Sequence, residues 1–291
     1  MEYVASLLVL VGLYVILASS FNLIIGFGGL ISIAHPIFFA LGAYTVGVLS
    51  TQFGLHPVLS VAAGFAISMA FSFMLSLPSL RISGDYLLIT SIGFQLGLLE
   101  IIKNLDFVGG ASGLGGIPNV VQGNRNLVFA GIALTIALVV VLAIRALVRG
   151  PYGRAIQAMR DDELAFLALG RNAMNIKIAI FALGSGVAGI AGGLYAYYYQ
   201  YVTPDQFQIL QSAMILTMVV VGGMGSVLGP VVGAVLLLLL PEAITFLNLP
   251  SGIMGPLQGV IFTSLVILFL FLRPQGLVAS AKSSAAHGGQ S

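Results

Sequence analysis

The sequence predicts an all-α polytopic membrane protein with about nine spans (eight to ten), some of them interrupted. Three observations carry that prediction. Hydrophobic residues make up 59% of the chain and charged residues 7%, with a mean hydropathy of +1.10, which leaves too little polar surface to clothe a soluble core. Apolar runs of bilayer length follow one another from Tyr3 onward. Basic residues fall on alternate sides of those runs. With the polar loop at 148–175 placed inside, Arg81, Arg145, Arg149, Arg154, Arg160, Arg171, Lys177, Arg273 and Lys282 face the cytoplasm, and only Lys103 and Arg125 face outward. That bias predicts an odd number of spans, an outer N-terminus and a cytoplasmic C-terminus.

Taken in order, the runs lie near residues 3–25, 30–50, 57–78, 86–102, 127–147, 176–199, 208–222, 230–248 and 254–272. Tyr3 to Ile25 is too long for a cleavable leader and lacks a basic stretch before it, so it is expected to be the first span. The second run carries His35-Pro36, which can interrupt a helix, and the seventh is short. Residues 1–278 are expected to form a single transmembrane domain, with a flexible tail of small and polar residues at 279–291.

The polar loop is the only long hydrophilic island. Residues 152–171 hold Arg154, Arg160, Asp161, Asp162, Glu163 and Arg171 in a chain with only 11 basic and 9 acidic residues. Its second half is expected to be a short helix. Asp161 or Asp162 can cap the start, Glu163 suits the positive end of the helix dipole, and Gly170 fits the stop. Leu164, Leu167 and Ala168 then form an apolar stripe inside a charged rim.

Two glycine patterns stand out. Gly28-Gly29-x-x-Ser32-x-x-x-Pro36 recurs as Gly222-Gly223-x-x-Ser226-x-x-x-Pro230, each time where a span is interrupted. Paired Gly/Pro breaks point to a translocation pathway, because unwound backbone at membrane depth survives only where it lines a cavity or is buried in protein. The second pattern, Ser185, Gly189 and Gly193 at four-residue spacing, is expected to let another helix pack closely. Its Gly184-x-Gly186-x-x-Gly189 imitates a dinucleotide fingerprint but lies inside an apolar helix with no strand before it.

Several chemistries are excluded. With no cysteine there is no thiolate or disulfide, and His35, His56 and His287 are too scattered for a metal site, so no metal or other cofactor is expected on this chain. Lys103, Lys177 and Lys282 follow Ile, Ile and Ala, so no phosphate-binding loop can be written. Gly110-Ala111-Ser112-Gly113 resembles a serine-protease nucleophile motif, but no histidine is placed to serve it. Ion-coupled transport stays open, with His35, Glu100 and Glu242 as the candidate ionisable groups.

Seven pieces in register resemble a known family. They are Asn22-Leu23-Ile24-Ile25-Gly26 with His35; Arg81-Ile82-Ser83-Gly84-Asp85-Tyr86; the stretch from Gly153 to Gly170; Val202-Thr203-Pro204-Asp205; Gly222 through Gly229-Pro230; Leu240-Pro241-Glu242; and Arg273-Pro274-Gln275-Gly276-Leu277. Together they resemble the LivM-like permeases of branched-chain amino-acid ABC importers. The resemblance implies a second, homologous permease subunit, two ATPase subunits that carry ATP and Mg, and an extracytoplasmic binding protein, all at a bacterial inner membrane. It implies ATPase coupling through Arg154, Arg160, Asp162, Glu163, Ala165 and Gly170. It also implies a pathway near Asn22, Gly28, Gly29, Ser32, His35, Gly222, Gly223, Ser226, Gly229 and Pro230. Leu164 and Gly170 depart from the importer coupling motif, with Leu in place of Ala and the glycine one position late. Relatives of this class also carry urea, short amides and other small solutes.

Overall fold

A bilayer offers the backbone no hydrogen-bond partners, so each crossing segment has to satisfy its own N–H and C=O groups, and a helix does so within one segment. A computed structural model describes residues 2–80, 84–121, 125–245, 263–264, 267, 271 and 276–278. Helix α1 (Glu2–Asn22) runs on through one π-helical turn, Leu23–Phe27. The chain leaves helix over residues 28–34 and re-enters it as α2 (His35–Gln52), with Pro36 in the first turn, where its missing N–H costs nothing. There follow α3 (Pro57–Ser79), α4 (Gly84–Lys103), α5 (Arg125–Arg149), α6 (Pro151–Asp161), α7 (Glu163–Ala168), α8 (Ala173–Tyr199), α9 (Ile209–Gly222) and α10 (Gly229–Thr245).

Five described stretches are long and apolar enough to cross a membrane: Glu2–Phe27, Pro57–Ser79, Tyr86–Lys103, Arg125–Arg149 and Ala173–Tyr199. Helices α9 and α10 are shorter, and α2 is buried on nearly every side. The run at 254–272 and the tail at 279–291 lie outside the described residues, apart from a few isolated positions. Helices α1–α5 and α8–α10 alternate in direction between a charged end, where α6 and α7 sit, and a far end. At the far end Tyr3 Oη donates to Glu242, and Gln52 Nε2 donates to the Phe107 carbonyl at 3.1 Å.

The centre of the bundle is α8 packed against α2 and α3. Lipid tails are as apolar as leucine, so helices gain by close dispersion contact, and small residues permit it. A Cβ on Gly189 would lie 2.4 Å from Ser68 Oγ and 2.7 Å from the Gly64 carbonyl; one on Gly193 would lie 2.8 Å from Val46 Cγ2. Ser185, on the same stripe, is fully buried. The face of α3 that meets them carries Ser60, Gly64, Ser68, Ser72 and Ser76, all buried and all four residues apart. That spacing is as regular as the α8 stripe and stood equally in the sequence.

One feature departs from all-helix. At the far end β1 (Leu114–Gly115) pairs antiparallel with β2 (Tyr201–Val202), Leu114 opposite Val202. Gly113 makes the approach possible: its φ is +84°, and a Cβ there would lie 2.5 Å from the Val202 carbonyl. A 3.4 Å ion pair from Lys103 to Asp205 ties the same two loops. The glycine-rich loop is therefore folded against the α8–α9 connection.

Candidate functional site

The hydrophilic island forms two helices, where the sequence suggested one. Helix α6 buries Gly153, Ile156 and Met159 at three-residue spacing and exposes its other side. Gly153 allows the sharp turn out of α5, since a Cβ there would lie 1.9 Å from the Val148 carbonyl. Helix α7 is capped by Asp162, whose Oδ1 accepts from Ala165 N at 2.9 Å, and Gly170 ends it with a φ of +74°. Phe166 is its only buried side chain. Leu164, Leu167 and Leu169 are 80%, 48% and 80% exposed, so an apolar face projects from the charged end with Arg154 and Arg171 exposed nearby. Glu163, its side chain 46% exposed, pairs through Oε1 with Lys177 Nζ of α8 at 2.6 Å, which ties α7 to α8.

Arg160, exposed near the end of α6, lays its side chain along the interrupted helices. Its guanidinium donates to the carbonyl of Gly26 in the π-helical turn. Its Cγ lies 3.0 Å from where a Cβ on Gly29 would be, and its Nη1 lies 3.2 Å from the same position on Gly225. Gly29 and Gly225 have φ of +68° and +72°, so both conditions favour glycine at each. The arginine fills the gap that two glycine loops leave.

The two Gly-Gly-x-x-Ser breaks meet there. Asn22, buried in α1, donates from Nδ2 to the Ser226 carbonyl at 2.8 Å and accepts at Oδ1 from Gly225 N at 2.9 Å. Both serines turn back on the chain ahead: Ser32 Oγ accepts from Ala34 N before α2, and Ser226 Oγ accepts from Gly229 N before α10, each at 3.3 Å. Pro36 and Pro230 then occupy equivalent early positions in those helices. The sequence echo is thus a repeated backbone device.

The glycines of the echo serve close packing. A Cβ on Gly222 would lie 2.0 Å from the Gly229 carbonyl, and one on Gly28 would lie 2.6 Å from the Ile24 carbonyl. Gly223, at φ +118°, faces residues 276–278, whose Leu277 N and Val278 N donate to the carbonyls of Val221 and Gly222 at 2.9 Å. The non-helical stretch 28–34 is satisfied from other helices. Ile33 N donates to Ser91 Oγ at 2.9 Å, and Ser212 Oγ donates to the Ile33 carbonyl at 2.7 Å. Gln95, fully buried, lies 3.2 Å from Ser212 and donates to the Phe207 carbonyl at 3.1 Å.

The ionisable candidates do not come together. His35 is 2% exposed, with Nε2 2.8 Å from Ser20 Oγ and its ring against Phe21. Glu100 accepts from Asn104 at 3.1 Å, and Glu242 accepts from Tyr3. Among the described residues no hydrogen bond or ion pair joins any two of the three, and no group of three or more metal-ligating side chains occurs.

A family model described as the permease component of branched-chain amino acid transport systems matches residues 3–272. The chain belongs to this family. The permease is 31% identical to the high-affinity branched-chain amino acid permease protein LivM of Salmonella typhimurium, over 91% of this chain and 68% of that one. It is 30% identical to LivM of Escherichia coli, over 96% and 72%, and 23% identical to LivH of the same organism, over 91% of each. No solved structure matches it.

Four residues that matter in this permease were not expected at the site. Lys177, Gln95 and Ser212 act through partners 14 to 179 positions away in the chain, and Phe166 acts by burial. A basic residue near the start of α8 and a polar pair inside otherwise apolar spans were the available signals.

Proposed function

We propose that this permease is one of two membrane subunits of an ATP-binding-cassette importer that carries branched-chain, hydrophobic amino acids across a bacterial inner membrane. One observation carries the reading. A capped helix with an outward apolar face (α7) is joined through α6 to Arg160, which touches both interrupted helices at once. A surface that can seat an ATPase is thus tied to the place where the membrane path is broken, and a rigid lever transmits motion that a loop would dissipate. Leu164, Leu167 and Leu169 dock on the ATPase, while Asp162, Ala165 and Gly170 shape the helix that presents them, with Arg154 at its edge. The scattered placement of His35, Glu100 and Glu242 gives no support to ion coupling.

The similarity to permeases of two names, LivM and LivH, supports a heteromeric pair, completed by two ATPases and a binding protein that delivers substrate. ATP and Mg belong to the ATPases; this chain contributes the gate and the lever. In this reading the charged end is cytoplasmic. Ser112→Cys at the far end is then expected to react with a membrane-impermeant maleimide in intact cells, and Ala158→Cys on α6 only after permeabilisation; the reverse pattern would overturn the orientation.

The deciding experiment is uptake of radiolabelled leucine into proteoliposomes holding the permease pair and its ATPases. Uptake that needs both internal ATP and the binding protein is expected. Uptake by this chain alone, driven by a proton or sodium gradient, would sink the importer reading; ATP-driven uptake of urea or an amide without leucine would sink the substrate class.

A further inference from the structure

At the far end, α1, α2, α8, α9 and the turn at Pro204–Phe207 enclose an open cavity of about 280 Å³. One wall is apolar: Leu13, Leu17, Phe39 and the ring of Tyr195. The polar part of the lining comes from Tyr14, Asp205, Gln206 and Gln211. We propose that this cavity is a substrate subsite that holds a zwitterionic α-amino acid, with its ammonium on Asp205, its carboxylate on the Tyr14–Gln211 pair, and its aliphatic side chain against the apolar wall. The inference rests on the importer reading and deepens it.

The polar groups are placed by built structure. Phe207, fully buried, stands edge-on to Phe39 with ring centres 5.1 Å apart, and it anchors the turn that carries Asp205. A reciprocal cap between Thr203 and Gln206 fixes the start of that turn. Gln211 Nε2 donates to Tyr14 Oη at 2.8 Å, which leaves the phenol proton available to an anion. Asp205 meets Lys103 at 3.4 Å and Gln208 at 3.0 Å. With side chains 68% and 35% exposed, the Asp205–Lys103 pair is wet and weakly held, so an incoming ammonium can exchange with the lysine. The lining therefore shows one charged group, Asp205, beside the neutral Tyr14–Gln211 pair. That arrangement is complementary to a zwitterion and offers no advantage to urea or a neutral amide, since specificity comes from the charged group that finds its partner. The volume suits a single amino acid and is small for a peptide.

The absence of cysteine makes a labelling test clean. In the complete importer without ATP, Gln206→Cys is reacted with a maleimide in the presence of leucine, of 4-methylpentanoate, which is leucine without its ammonium, or of urea. A second reporter, Leu13→Cys, covers the case in which loss of the Gln206 cap disturbs the turn. Leucine is expected to slow labelling several-fold at both positions, with no effect of the other two. Asp205→Asn is expected to abolish the protection and to raise the KM for leucine uptake at least about tenfold, the scale of one charge-assisted hydrogen bond. ATP-driven leucine uptake with labelling untouched by leucine would overturn the cavity assignment and leave the importer standing. Equal protection by 4-methylpentanoate would overturn the role of Asp205. Absence of leucine uptake under every condition would remove the importer reading, and the cavity assignment with it.

Discussion

Arg160→Ala is expected to cut ATP-driven uptake at least about tenfold while the importer still assembles and still hydrolyses ATP. From α6, Arg160 touches the first break through its guanidinium at Gly26 and its Cγ at Gly29, and the second through Nη1 at Gly225. A hydrogen bond from a charged donor is worth about 1.5–3 kcal/mol net, and a bias of that size moves a two-state gate by roughly ten- to a hundredfold. Arg160→Lys is expected to recover only part of the loss, because an ammonium keeps the charge but cannot fill the flat space between two glycine loops. Leu167→Asp supplies the contrast. That side chain is 48% exposed and lies outside the buried core, so the variant is expected to fold and lose the ATPase subunits on purification. Coupled transport at the parental rate by Arg160→Ala would refute the lever.

Gly189→Val is expected to destabilise the permease by about 3 kcal/mol or more, read as a marked drop in the temperature at which it loses monodispersity in detergent. The first added carbon would sit 2.4 Å from Ser68 Oγ and 2.7 Å from the Gly64 carbonyl, and the Gly189 carbonyl in turn lies 2.1 Å from where a Cβ on Gly42 would be. Three helices converge there with no flexible side chain to yield. Close packing is the main source of cohesion between helices in lipid, so nothing offsets the separation. Gly97→Ala is the matched control: no atom lies within 4 Å of its would-be Cβ, and replacing a helical glycine by alanine is expected to be neutral or to stabilise by up to about 1 kcal/mol. Equal stability of Gly189→Val and Gly97→Ala would contradict the packing at the centre of the bundle.

Much of this protein is local and was therefore legible. Bilayer-length apolar runs gave helices, because each must bond its own backbone; Asp162 and Gly170 marked the ends of α7, because capping involves neighbours in the chain. The Gly-Gly-x-x-Ser repeat located both breaks for the same reason, since Ser32 and Ser226 turn back on backbone two or three residues away. The first half of the island was less legible: only its second half was expected to be helical, yet Pro151 begins a helix whose stability comes from burying Ile156 and Met159.

The sequence by itself determined that this chain lives in a membrane, where its helices are interrupted, which residues cap them, and to which family it belongs. Only the tertiary structure decided which break touches which, that Arg160 reaches both of them, that Glu163 pairs with Lys177, and that Asp205 and Tyr14 share one cavity. The division has a physical cause. Hydropathy, capping and turn chemistry act over a few residues, whereas Asn22 and Gly225 lie 203 positions apart and meet only because small residues let helices pack until they do.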